Sequence, residues 1–213
     1  TRKEFLPTLL CMGQNGEWEI GEVLSSEETV LPPFVRAAAN DEMIVYGGGS
    51  YSGRSLLEHY VARLFRKIRE RFEGQEIGFV AITCEEANTK ESARTMLYEI
   101  LEQKEGFSQN CIVLSHLEAF LHFVIRQEEG IWKNGSAVFD YAAEGLLFYH
   151  MECRMAGGRR LLVADYKNYS EEIPPGFVAQ GNTEQRALTF ERLAGTVLQQ
   201  KVASLFVTGR GFE

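Results

Sequence analysis

The chain has 213 residues, 45% of them hydrophobic and 24% charged, with a formal net charge of −8. Those values describe an ordinary globular protein, long enough for one large domain or two small ones. They argue against a general nucleic-acid binder, whose surplus would be basic. No apolar run nears the ~20 residues of a membrane span and there is no signal peptide, so a cytoplasmic location without a membrane partner is expected.

Pro7–Val23 reads as a β-hairpin, because two strand-like runs flank Gln14-Asn15-Gly16 and Asn-Gly is the strongest short hairpin signal. Pro32-Pro33 interrupts any helix, and Phe34–Ala39 has room for one short helical turn after it. Ile44-Val45-Tyr46 is followed by GGGSYSGRS, where Gly48 and Gly53 have the spacing of a phosphate loop. Arg54 stands where such a loop needs its lysine, so the preferred reading is a flexible turn with Ser52 capping the next helix. That helix, Gly53–Phe72, repeats apolar residues at helical spacing. Its other face carries Arg63, Arg66, Lys67, Arg69 and Arg71. Glu58, Glu70 and Glu73 dilute them, and the face reads as solvated rather than as an anion site.

Ile77–Cys84 is apolar enough for a strand buried on both faces. A helix over about Thr89–Gln103, a second buried strand at Cys111–Leu114 and a helix over about Leu117–Gln127 follow. This is β-α-β-α with lengths suited to parallel crossovers. His116, Glu118 and His122 invite a metal reading, but the two histidines fall about 120° apart around a helix and cannot share one ion unaided. They are assigned to the core or the surface.

Ser136–Arg154, SAVFDYAAEGLLFYHMECR, reads as two strands joined by a tight turn, with Asp140 at the end of the first. Such a hairpin is one way to bring backbone N–H groups and a carboxylate near a phosphate and its metal. It is also what an ordinary hairpin with a surface acid looks like. A third strand, about Arg160–Tyr166, completes an antiparallel meander. Glu171–Gly181 is a loop. Thr183–Lys201 is a helix capped by Asn182 or Thr183, with Ala187, Phe190, Leu193, Ala194, Val197 and Leu198 on one side. The last strand, Ala203–Thr208, ends on Gly209-Arg210-Gly211, and Phe139 and Val207 are expected in the core. Cys11, Cys84, Cys111 and Cys153 form no C-x-x-C pair and read as buried free thiols. The chain starts at Thr1 and stops just past a strand, as a piece of a longer protein would.

This order resembles the two ribonuclease-H-like halves of the actin and heat-shock chaperone ATPase superfamily, most closely a group of bacterial proteins with the actin-like fold. In that superfamily a hairpin after each half's first strand wraps the nucleotide phosphates, and a glycine-rich turn after a late strand holds the adenosine. Val138-Phe139-Asp140 with Ala142–Gly145 resembles the second phosphate loop, and Ser204–Gly211 resembles the adenosine turn. Ile77–Cys84, Glu91–Leu101, Cys111–Ser115 and Glu118–Phe123 match the strand–helix–strand–helix that leads between the halves. The resemblance implies an α/β fold of two such halves, 1–130 and 131–213, the first lacking its opening strands and the second cut short at its C-terminus.

It also implies a cofactor site at Asp140, Ala142, Ala143, Gly145, Gly209 and Gly211. Asp140 would reach magnesium through water when a nucleotide binds. Three departures weaken that site. The first phosphate loop is absent, Ala142, Ala143 and Glu144 stand where the second loop has glycines, and Glu171–Gly181 replaces the lobe that closes over the base. The expected function is therefore a degenerate actin-like domain serving as an interaction or regulatory scaffold for a protein partner, with ATP and magnesium not held tightly. The other reading is an Mg-ATP-dependent switch, if a longer protein supplies the first phosphate loop.

Overall fold

The computed structural model describes residues 9–13, 16–20, 34–72, 75–84, 91–107, 110–142, 145–180, 182–200 and 202–209. The architecture is mixed α/β, with helices and small sheets, and the chain divides into two compact units, Thr1–Ser115 and His116–Glu213. The helix that closes the first half in the sequence reading thus belongs to the second unit. No helix among the described residues is long and apolar enough to cross a membrane.

The first unit begins with β1 (Leu10–Met12) and β2 (Trp18–Ile20), the antiparallel pair expected around Asn15-Gly16. Helix α1 is Phe34–Ala39, starting directly after Pro33. The stretch read as a flexible turn is instead a second hairpin. Strands β3 (Met43–Tyr46) and β4 (Gly49–Ser52) pair antiparallel, joined by Gly47-Gly48. Those two residues have φ of 55° and 79°, the left-handed values a two-residue hairpin turn requires. Helix α2 (Gly53–Arg71) follows at once, and the Ser52 side chain caps it by accepting from the Ser55 N–H at 3.1 Å. The helix buries Leu56, Leu57, Val61 and Phe65 against Leu10, Trp18, Phe34 and Leu101. Its basic face is tied up within the unit. Arg63 pairs with Glu17 at 3.1 Å, the Lys67 ammonium donates to the Ile20 carbonyl at 2.9 Å, and Arg69 pairs with Glu105 at 2.8 Å.

Strands β5 (Val80–Cys84) and β6 (Cys111–Ser115) lie parallel, Val80 opposite Cys111, with α3 (Glu91–Glu105) as the crossover. The expectation that β5 is buried on both faces fails. Ala81 and Thr83 are exposed, and Phe79, which precedes the strand, is 59% exposed. The reason is that among the described residues β5 and β6 form a sheet of their own, with α3 covering one face. All four cysteines are free thiols; Cys11 is buried and the other three half-buried. Burial pushes the Cys111 thiol pKa up, away from the reactive thiolate.

The second unit opens with α4 (His116–Val124) and the single turn α5 (Glu129–Trp132). Then come β7 (Ser136–Ala142), β8 (Gly145–Ala156), β9 (Arg159–Asn168), the short α6 (Phe177–Gln180), α7 (Thr183–Leu198) and β10 (Ser204–Thr208). The sheet order is β10-β7-β8-β9, with β7, β8 and β9 an antiparallel meander and β10 parallel to β7. Ala137 to Asp140 lie opposite Leu205 to Thr208. Strand alternation splits β7 between two helices. Val138, with Leu147, Tyr149 and Met151 of β8, packs under Phe120 and Val124 of α4. Ala137 and Phe148 pack on the other face against Val197 of α7, beside the cluster of Tyr141, Leu146, Ile173 and Leu193.

Two expectations about this second face are corrected. Val207 is 60% exposed and Phe139 is only partly buried, so the fully buried rings of this face are Tyr141 and Phe148. On α7, Leu193 and Val197 are buried, whereas Ala187 and Ala194 are exposed and Leu198 is 84% exposed. The cause is the position of β10, which has no neighbour on its far side among the described strands. Val207→Ser is accordingly expected to cost less than about 1 kcal/mol in urea unfolding, the range of exposed sites. A loss typical of core truncation, above ~2 kcal/mol, would return Val207 to the interior.

Candidate functional site

Asp140 is the acid around which the sequence reading builds its site. It sits inside β7 rather than at its end, since the strand continues to Ala142. Alternation turns it to the α4 face, where it is 6% exposed. His116, the first residue of α4, meets it there, with Nδ1 2.6 Å from Oδ2. A carboxylate accepts, so the His116 Nδ1–H donates to Oδ2. A hydrogen bond to a charged group in a dry setting is short and contributes about 1.5–3 kcal/mol. Asp140 therefore fixes the rotation of the His116 ring.

Beside the pair is a cavity of about 440 Å³, lined by His116, Asp140 and Thr208 and by the rings of Phe120, Phe123 and Phe206. Phe206 stands edge-on to both other rings, with centroids 6.2 Å from Phe120 and 5.4 Å from Phe123. Thr208 reaches the cavity because β10 runs parallel to β7 and places it opposite Asp140. A few polar groups in an otherwise apolar hollow is the usual make-up of a small-molecule site.

Three of the other sequence-predicted residues, Ala142, Gly145 and Gly209, lie at the same end of the sheet. Ala142 ends β7 opposite Gly145, the first residue of β8. Gly145 has φ 117°, and a Cβ there would lie 2.6 Å from the Ser170 Cβ. Gly209 follows Thr208 and lies against the Tyr141 backbone. Ala143, Glu144 and Gly211 lie outside the described residues. The Tyr141 hydroxyl donates to the Pro174 carbonyl at 2.5 Å and accepts from the Phe177 N–H at 2.9 Å, so the 174–177 stretch is anchored to β7.

A model of the family of unknown function DUF5716, C-terminal part, matches residues 2–213. The chain belongs to that family. No curated protein matches it. In this DUF5716 C-terminal chain, His116 is the site residue that sequence reasoning missed. Helical spacing relates it to His122, whereas its neighbour in the structure lies 24 residues on, in a strand. Among the described residues no group of three or more His, Cys, Asp or Glu side chains is arranged to hold a metal ion.

Proposed function

We propose that this chain is a degenerate actin-like domain that acts as an interaction or regulatory scaffold and does not turn over nucleotide. The observation that carries the reading is the state of Asp140. Its carboxylate is buried and held by His116 at 2.6 Å, whereas a carboxylate serving a hydrated magnesium must present its oxygens to the metal's waters. A bound cation would compete with the Asp140–His116 bond. The ribonuclease-H-like half itself is supported by three antiparallel strands, a helix and a fourth strand parallel to the first, as in β7-β8-β9-α7-β10. The sequence β5-α3-β6, with its parallel strands, supports the end of the preceding half.

A second reading, an Mg-ATP-dependent switch completed by a longer protein, draws on a different observation. Asp140, the β7–β8 turn and the Thr208-Gly209 step gather at one end of one sheet. Phosphoryl transfer, however, is mostly positioning and charge neutralisation, and one acid without an opposing loop supplies little of either. The 213-residue chain is expected to show no measurable phosphate release from Mg-ATP in a steady-state assay. Turnover that disappears in Asp140→Ala would establish the switch and end the scaffold reading.

A further inference from the structure

Strand β9, at one end of the second unit's sheet, has properties that neither reading above uses. We propose that the chain forms a twofold homodimer in which β9 pairs antiparallel with β9 of a second copy, centred on Leu162, so that two four-stranded sheets join into one. The inference concerns this strand alone and stands whether or not the actin-like reading holds.

The edge comes first. In the order β10-β7-β8-β9 the outer side of β9 has no neighbour among the described strands. An unpaired edge is a template for another strand, and proteins commonly blunt it with a short strand, a proline or a bulge. β9 uses none of these. It runs for 10 residues without proline, and its register with β8 is unbroken from Asn168 to Arg159. Every position but Ala164 is exposed. Leu161, Leu162 and Val163 follow one another at 49%, 41% and 40% exposure, so both faces of the open edge are apolar at its middle. β10, at the other edge, has 5 residues and no charge to set a register.

Charge decides the occupant and the register. Gly157 and Gly158, with φ of 57° and 76°, make a two-residue turn closed by Ala156 and Arg159. Hydrogen-bonded pairs alternate from that closing pair, so Arg160, Leu162 and Ala164 turn their N–H and C=O groups to the open edge. An axis at Leu162 then pairs Leu162 with its own copy and Arg160 with Ala164 of the second copy. On the opposite face Leu161 meets Val163 and Arg159 meets Asp165, each contact made twice. The Asp165 side chain is 72% exposed and 3.7 Å from His150 Nδ1, which leaves its carboxylate open to a second cation. Arg160 keeps its pairing with Glu129 in this arrangement. Neighbouring registers are worse. An axis at Val163 sets Arg159 against Lys167, one at Ala164 sets Val163 against Asp165, and one at Leu161 sets Arg159 against Val163. Opposite charges across a strand pair stabilise and like charges destabilise, which selects the Leu162 axis.

The test is sedimentation equilibrium of the intact chain at low ionic strength, where charge pairs are least screened. A ladder from Arg159 to Asp165 is a small interface, so the wild type is expected to dimerise with a dissociation constant of about 1–50 μM. Arg159→Asp and Asp165→Arg each set like charges against one another twice, and each should weaken the dimer by about tenfold or more. Mixed in equal amounts, the two variants should recover a dimer of about wild-type strength, because both contacts of the mixed pair again join opposite charges. Leu162→Arg, which sets two cations face to face on the axis, should weaken the dimer as strongly. All three positions are exposed, and circular dichroism checks that each variant is folded. A wild type still monomeric at about 300 μM would show that the edge takes another strand or none, and would overturn the proposal. So would a dimer that survives both charge variants, or a mixture that associates no more tightly than either variant alone.

Discussion

Gly53→Ala is expected to destabilise the first unit by about 3 kcal/mol or more, a large loss for adding one methyl group. Gly53 opens α2 where that helix crosses α1, and the two backbones touch there. A Cβ at Gly53 would lie 2.2 Å from the Ala38 nitrogen and 2.3 Å from the Ala37 carbonyl carbon. Overpacking usually costs about 1–3 kcal/mol because side chains can shift. Here the obstacle is main chain. It cannot move without breaking the bonds from the Gly53 N–H to the Glu42 carbonyl and from the Glu42 N–H to the Ala37 carbonyl, at 2.9 and 2.8 Å. Gly195 within α7 supplies the control, since a Cβ there meets nothing within 4 Å. Gly195→Ala should stabilise by about 0.5–1 kcal/mol through helix propensity alone. The measurement is urea unfolding, followed for Gly53→Ala by Trp18, which packs 5.2 Å from Tyr51 in the same core, in a Trp132→Phe background, and for Gly195→Ala by Trp132 in a Trp18→Phe background. Equal and small effects of the two substitutions would remove the close crossing of α1 and α2.

The same residue shows why part of the chain was legible in the sequence and part was not. Gly48 and Gly53 share the spacing of a phosphate loop, yet the first serves a hairpin turn and the second a helix crossing. Spacing records that small residues recur, not what approaches them. Local signals did better. Asn15-Gly16 marked the β1–β2 hairpin, Pro33 marked the start of α1, and the Asn182 side chain accepts from the Glu184 N–H at 2.9 Å at the start of α7. Each of these rests on physics within a few residues.

What failed depended on partners far along the chain. Gly49-Ser50-Tyr51-Ser52 has none of the β-branched residues that announce a strand, and β4 exists because β3 pairs with it across a two-residue turn. Leu205-Phe206-Val207 is apolar enough for a central strand, but β10 lies at the edge of its sheet, and an apolar run cannot report its place in the order. His116 and Asp140 meet because α4 crosses the face of the sheet that Asp140 occupies, which no helical or strand period encodes. The candidate site was thus half visible: its acid and its glycines were, but its histidine and its aromatic wall were not.

Gly209→Ala separates two explanations of a residue the sequence assigns to an adenosine turn. If Gly209 is there to let a nucleotide approach, its replacement costs binding and little stability. The geometry points to the opposite result. Gly209 has φ 97°, a left-handed value that strains any residue with a Cβ by about 1–2 kcal/mol. The added Cβ would also lie 2.2 Å from the Tyr141 carbonyl oxygen and 2.5 Å from its carbonyl carbon. Tyr141 is 1% exposed and anchored through its hydroxyl to Pro174 and Phe177, so β7 has little freedom to retreat. Strain and overlap together are expected to cost the second unit about 2–4 kcal/mol. Trp132, packed against the α4 side of the sheet, reports that unit's unfolding in a Trp18→Phe background. Calorimetric titration with Mg-ATP on the wild type and the variant completes the comparison. A variant as stable as the wild type would show that Gly209 is not required by the β7–β10 contact, and loss of a measurable Mg-ATP affinity in that variant would restore it to a nucleotide site.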